Sequence, residues 1–447
     1  MGESNPAGGA TATVAAGPGT TSLRRVAAAC LVGSAIEFYD FLIYGTAAAL
    51  VFPTVFFPDL SPTVAKIASM GTFAAAFLSR PVGAAFFGYF GDRLGRKKTL
   101  VATLLIMAVS TVSVGLVPST ATIGMGAPLI LVALRLLQGF AVGGEWAGSA
   151  LLSAEYAPPD KRGRYGMFTL LGGGTATVFS SLTFLGVNFT IGENSPAFMQ
   201  WGWRIPFLIS AALIGFALYV RLNIDETPVF AEEKALNLVP KAPLAEVLHL
   251  QRREILLAAG SMLSSFSFVY MGSTYFTMYA HSNLGYTRSL IWSVGVLGGL
   301  ASFSSVALSA TMSDLVGRRR VMLVGWALCM PWAFAVLPLM NTGNPVLYGV
   351  AIVGIFVVAP IGSGPTGAFI PELFATRYRY SGSALAQNLA GVIGGALPPL
   401  LAGTLMESYG SWAIGLMLAI LAAISLVCTY LLPETNGAEL GSADQRR

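Results

Sequence analysis

The sequence predicts an all-α membrane protein, with about twelve transmembrane helices arranged as two pseudo-symmetric six-helix bundles. Three observations carry that prediction. The 447 residues are 55% hydrophobic and only 11% charged, less than half the ~25% charge of soluble domains. The apolar residues fall into about twelve stretches of roughly 17–28 residues, the length that crosses hydrocarbon. A motif also recurs half a chain apart. RPVGAAFFGYFGDRLGRKK (80–98) ends an apolar run in a glycine-rich basic turn, and SATMSDLVGRRRVML (309–323) does the same. Asp314, Gly317 and Arg318-Arg319-Arg320 repeat Asp92, Gly95 and Arg96-Lys97-Lys98. An offset of roughly 220 residues in an apolar chain points to a transporter built from two homologous halves.

Residues 1–22 are rich in Gly, Ala, Thr and Pro, with no basic stretch ahead of an apolar core. They read as a disordered tail, not a signal peptide. The N-terminal bundle is 23–221, with spans near 26–52, 63–90, 99–118, 127–154, 165–191 and 204–221. A cytoplasmic loop, 222–254, follows and separates the halves. Its 232–246 stretch reads either as a short surface helix or as a solvated linker. The C-terminal bundle is 255–432, with spans near 255–280, 289–311, 321–340, 345–370, 380–404 and 410–432, and 433–447 is a tail. Two weaker repeats keep the same order. SAEYAPPDKRGRYG (153–166) resembles PELFATRYRYSG (371–382), and DETPVF (225–230) resembles PETNGAEL (433–440).

Orientation follows from Lys and Arg. With the N-terminus inside, about 21 of the 26 basic residues fall on the inner side, and only Lys66, Arg204 and Arg288 on the outer ends. Both termini are therefore expected in the cytoplasm, with the chain crossing the plasma (inner) membrane. The same placement, in short loops between apolar runs, argues against a nucleic-acid partner despite a net charge of +5. Cys30, Cys329 and Cys428 lie in apolar runs and suggest no disulfide framework. His249 and His281 sit at loop or helix ends, no metal-ligand spacing occurs, and the spans carry no nucleophile cluster. The reading is no metal, no cofactor and no enzyme.

Charge at mid-bilayer costs at least ~2.5–3.5 kcal/mol, so the ionisable residues inside spans are the first functional candidates. They are Glu37 and Asp40 in the first span, Arg80 in the second, and Arg135 and Glu145 in the fourth; the expected spans of the second half have none. Glu37 and Asp40 are three apart and share a helix face. Arg135, Gln138, Val142 and Glu145 form one stripe. At 1.5 Å per residue, Arg80 and Glu145 stand ~15 Å and the first-span acids ~18–22 Å from the inner helix ends, so the groups can meet near the midplane. A carboxylate that gains and loses an Arg partner between two conformations takes up a proton in one and releases it in the other. Asp40, Glu145 and Glu37 are the candidate proton-coupling groups; a permanent ion pair that locks packing is the alternative. The second half offers neutral polar groups, of which Tyr270, Tyr275 and Asn388 have the bulk to wall a cavity. Glu155 and Glu372, beside Arg clusters at helix ends, read as gate ion pairs. Gly172-Gly173-Gly174 reads as close helix packing.

These residues resemble a known family. GDRLGRKK (91–98) is similar to the loop motif of the major facilitator superfamily, and RLLQGFAVGGE (135–145) to its fourth-helix motif in proton-coupled members. EFYDFLIYG (37–45), RPVGAAFFGYFGDRLGRKK (80–98), RLLQGFAVGGEWAG (135–148), WGWRIPF (201–207), DETPVF (225–230) and PELFATRYRYSG (371–382) together resemble the metabolite:proton symporters of that superfamily, over nearly the whole chain. Such proteins import dicarboxylates, citrate, oxoglutarate or shikimate, or zwitterions such as proline and betaine. The resemblance implies the major facilitator fold. It implies coupling or binding roles for Asp40, Arg80, Arg135 and Glu145; Gln138, Tyr270, Tyr275 and Asn388 are expected beside the substrate from their place in the spans. It implies a cytoplasmic gate that includes Asp92, Arg96, Glu155 and Arg164; Arg93 and, from the second copy of the motif and the tenth span, Asp314, Arg318 and Glu372 are expected to join it. Ala375 replaces a Pro frequent in this family, and the second loop copy lacks the Arg after Asp314. No heptads follow the last span, so an osmosensing coiled coil is not expected. The expected function is proton-coupled symport (import) of a small organic carboxylate by alternating access. The coupling ion is H+, the partners are membrane lipid and the small-molecule substrate, and the unit is a monomer. The rivals are a proton-driven exporter of drugs or metabolites on the same fold, and a membrane sensor that binds ligand without moving it.

Overall fold

A computed structural model describes residues 23–94, 96–192, 195–222, 249–375 and 378–437. The expected tail 1–22, the surface helix at 232–246 and the last residues, 438–447, lie outside the described residues. Among the described residues eleven helices are long and apolar enough to cross a membrane, and the shorter apolar Gly126–Val142 brings the crossings to twelve. The first is Leu23–Leu50, the second Pro62–Leu94, the third Arg96–Leu116 and the fourth Gly126–Val142 continued by Glu145–Tyr156. The fifth is Arg162–Ile191 and the sixth Ile205–Leu222. The seventh runs Arg252–Tyr270, through a wide π-type turn at Met271–Tyr275, to Phe276–Ser282. The eighth is Arg288–Val316, the ninth Arg318–Met340, and the tenth Pro345–Ser363 continued by Thr366–Glu372. The eleventh runs Arg379–Ala390, through a second wide turn at Gly391–Ala396, to Leu397–Tyr409; the twelfth is Ser411–Leu431. An even number of crossings puts both ends of the described chain on one face, called here the terminal face.

Several helices outrun their apolar stretches. The second continues through Gly91-Asp92-Arg93-Leu94, so the basic turn shrinks to position 95, itself outside the described residues. Its counterpart in the second half is Gly317 alone, at φ 104°, between the eighth and ninth helices. A side chain there would be strained, which is why the motif needs glycine. Long cationic side chains reach water from a helix that is still regular, so the helix need not end where the apolar run ends. Arg318 and Glu372 also lie within the ninth and tenth helices, buried and paired with each other at 3.0 Å. Within the expected span limits the second half carries no ionisable residue; the helices run past those limits to Arg318 and Glu372 at the terminal face and to Glu407 at the other.

The helices of each half approach at backbone distance. A Cβ on Gly83 would stand 1.9 Å from the Phe140 carbonyl oxygen, one on Gly139 1.9 Å from that of Ala76, and one on Gly143 2.1 Å from that of Arg80. Small residues four apart thus let the second and fourth spans touch. Of the glycine triplet, Gly172 meets Ser34 of the first span and Gly174 meets Gly299 of the eighth. The halves join mainly through the fifth span on the eighth and the second on the eleventh. On the second span, Leu78, Val82 and Phe86 point outward while Phe73, Phe77 and Arg80 are buried. Apolar side chains on the outside and charge inside suit hydrocarbon as solvent.

Candidate functional site

The break in the fourth span positions the charged groups. Gly143 and Gly144 interrupt the helix, and the new segment starts at Glu145. Because Gly143 abuts the Arg80 carbonyl, Arg80 and Glu145 stand at one depth. Asp40 reaches the same region from the first span and is fully buried, as is Arg135. Thr111 Oγ1 of the third span donates to the Asp40 carboxylate at 2.9 Å, and Ser210 of the sixth donates to its other oxygen. Gln138 Nε2 donates to Thr111 Oγ1 at 2.9 Å, and Arg135 Nη1 donates to the Gln138 side-chain oxygen. A continuous hydrogen-bonded chain therefore runs from Arg135 through Gln138 and Thr111 to Asp40, with Glu145 in electrostatic range of the carboxylate.

Both guanidiniums are held by aromatic faces. Arg135 lies 3.9 Å from the Tyr44 ring centroid and 4.6 Å from that of Phe41. Arg80 lies 4.1 Å from Phe41 and 4.6 Å from Phe77. Each such contact is worth ~2 kcal/mol or more without water, which helps a cation persist at this depth. Tyr270, on the seventh span just before its wide turn, packs edge-on against Phe73 and Phe77. Its hydroxyl stands against Arg80, with Glu37 and Arg135 in electrostatic range. Glu37 and Asp40 therefore diverge: Asp40 serves the third and sixth spans, whereas Glu37 turns toward the seventh.

Tyr270 also lines a cavity between the halves. Its wall combines the first, fifth, seventh, eighth, tenth and eleventh spans, including Phe38, Thr177, Phe266, Phe356 and Gln387. Of the expected substrate-side residues, Tyr270 faces this cavity, and Arg80 stands beside Tyr270. Arg135 and Gln138 belong to the chain leading to Asp40. Tyr275 lines a separate pocket on the face opposite the termini, with Lys66, Tyr279 and Glu407. Asn388 donates to the Gly143 carbonyl at 2.9 Å, tying the eleventh span to the break in the fourth.

On the terminal face the halves are bolted by charge. The Asp314 carboxylate accepts 2.8 Å bonds from the Gly163 and Arg164 amides, capping the fifth span. Arg318, with no solvent exposure, reaches Asp314 and Glu372 at 3.0 Å each. Arg162 stands 4.0 Å from Glu372, and Thr435 donates to Glu372 as well. Glu434 caps the ninth span through the Arg318 and Arg319 amides at 3.0 and 3.1 Å. The acid at the start of PETNGAEL is thus a helix cap, favoured there by the helix dipole. The Arg164 contribution is its amide; its side chain is exposed. The side chains of Asp92, Arg93, Arg96 and Glu155 lie outside the described residues. On the opposite face Thr63 Oγ1 donates to Glu407 at 2.7 Å, and Asn188 to Ser289 at 2.7 Å, again across the halves.

Sequence reasoning missed Phe41, Tyr44, Thr111 and Ser210. Phe73, Phe77 and Arg80, spaced four and three apart, already place an aromatic pair below a cation on one helix face. Thr111 and Ser210 have no such signal; only the fold brings them to Asp40. Among the described residues no group of three or more His, Cys, Asp or Glu could hold a metal ion.

The profile of the Major Facilitator Superfamily matches residues 30–399. The inner membrane metabolite transport protein YhjE of Escherichia coli K12 is 41% identical over 425 residues, covering 94% of this chain and 96% of that protein. The shikimate transporter of the same organism is 35% identical over 432 residues (94% and 97%), and its proline/betaine transporter 32% over 435 (94% and 85%). A solved structure of the proton:xylose symporter XylE, bound to 6-bromo-6-deoxy-D-glucose, superposes with a TM-score of 0.72 at 19% identity. It covers 95% of this chain and 98% of that one, a likeness of fold.

Proposed function

Since the chain belongs to the Major Facilitator Superfamily and is a membrane transport protein, not an enzyme, we propose that it is a proton-coupled importer of a small organic carboxylate. The observation that carries this is the hydrogen-bonded chain from Arg135 to Asp40, buried in the same bundle as Glu145 and Arg80. A carboxylate away from water keeps its charge only while donors or a cation face it. If the third and sixth spans shift against the first, Asp40 loses Thr111 and Ser210 and takes a proton; when they return it releases one. Glu145, at the hinge of the fourth span, is the second coupling group, and Glu37 links the acids to the seventh span. Arg80 neutralises the substrate carboxylate, through or beside Tyr270. Relatives named for shikimate, proline and betaine support a carboxylate cargo. The terminal face is cytoplasmic, and one chain walls the whole cavity, which supports a monomeric unit in the inner membrane. The Asp314–Arg318–Glu372 cluster is the cytoplasmic gate, with Asp92, Arg93, Arg96 and Glu155 as its first-half counterpart.

Proteoliposomes carrying Asp40→Asn or Glu145→Gln test the coupling. Uphill uptake driven by a pH gradient is expected to vanish while substrate exchange across the membrane survives. Unchanged uphill uptake in both variants removes these acids from the coupling role.

A further inference from the structure

Resting on the reading of the central cavity as the transport site, we infer that it selects monocarboxylates with an apolar body and rejects di- and tricarboxylates. Among the described residues that line it, none is charged. Phe38, Phe266 and Phe356 supply flat apolar walls from three different spans. Two of the lining hydroxyls are already used: Thr177 donates to the Gly173 carbonyl and Thr366 to that of Ser363. The Tyr270 hydroxyl is different. Its residue is 2% exposed and lines the cavity; its oxygen accepts from Arg80, and among the described residues no acceptor takes its hydrogen. Phe266 stacks on its ring at 6.0 Å and fixes its aim. Arg80 beside it supplies one positive charge from behind the wall.

One donor backed by one cation satisfies one carboxylate. The rest of the ligand meets aromatic rings, which favour carbon over charge. A second carboxylate would leave water for a wall with no counter-charge, and that loss is not recovered by neutral hydroxyls. Charge count, more than size, is the discriminating property.

Titration calorimetry on the full-length protein in detergent tests this without any gradient. The probes are benzoate and cyclohexanecarboxylate against succinate and citrate, with benzamide as the uncharged analogue. At least one monocarboxylate is expected to bind at least tenfold more tightly than either polyacid. Tyr270→Phe is expected to weaken that monocarboxylate about tenfold and benzamide less than twofold. Succinate or citrate binding as tightly as the monocarboxylates overturns the inference, as does no binding by either monocarboxylate. If Tyr270→Phe fails to give a wild-type melting curve, the wild-type panel alone decides. The two readings separate cleanly. Monocarboxylate binding without pH-driven uptake sinks the coupling and leaves the selectivity, whereas pH-driven succinate uptake does the reverse.

Discussion

Phe41 lies between two guanidinium groups, 4.1 Å from Arg80 and 4.6 Å from Arg135. Two buried cations repel, and the shared ring face offsets part of that repulsion while excluding water. Replacing it by Leu keeps the bulk and removes the quadrupole. Phe41→Leu is expected to lower the unfolding free energy in mixed micelles by about 2–4 kcal/mol; a variant as stable as wild type would show that the ring is mere filler. Thr111 has a comparable role for the acid, receiving from Gln138 while donating to Asp40. Thr111→Val, of equal shape, breaks both bonds and is expected to cost about 1–3 kcal/mol. Thr111→Ser should restore most of it, and failure of that rescue would mean that the methyl, not the hydroxyl, matters.

The broken helices are the elements that make the site. The fourth and tenth spans are interrupted at corresponding places, Gly143–Gly144 and Gly364–Pro365, and the seventh and eleventh carry wide turns beside the cavity. Such interruptions place backbone and side chains where a regular helix would not. Gly139 and Gly143 hold the fourth span against the second at backbone contact. Gly139→Leu has no flexible neighbour to displace, because a carbonyl occupies the space. It is expected to abolish monodisperse protein on size-exclusion chromatography, whereas Gly186→Leu, with open space at its Cβ position, should not. At the terminal face, Arg318→Met strands Glu372 and is expected to destabilise by about 3–5 kcal/mol. Adding Glu372→Leu should recover much of that, and a double variant no better than the single one would argue that the pair is not coupled.

The two halves touch on both faces of the molecule: at the terminal face Asp314 accepts from the Gly163 and Arg164 amides and Arg162 stands 4.0 Å from Glu372. Thr63 meets Glu407 across the other. Alternating access requires each closure to open in turn. A short, reducible thiol cross-linker bridging Thr63→Cys and Glu407→Cys is expected to stop uptake in proteoliposomes, and reductant to restore it. Full uptake with complete cross-linking would show that these ends need not part. The three native cysteines, two buried and one partly so, offer little competing reactivity.

The order of apolar runs, the basic turns and the half-chain repeat settled the class before any coordinates, because hydrocarbon imposes length and charge placement on every crossing. The scarcity of charge also drew attention to Asp40, Arg80, Arg135 and Glu145, since each is expensive in oil. What the sequence left open was partnership. Thr111 and Ser210 are ordinary hydroxyls until the third and sixth spans pack on the first; Tyr275 and Tyr270 differ by one turn, yet one lines the pocket opposite the terminal face and the other the central cavity. Helix rotation and depth are set by contacts between spans that composition does not encode, and a rotation of one residue sends a side chain from cavity to neighbour. Only the tertiary packing could therefore decide which acids share a network and which tyrosine lines the central cavity.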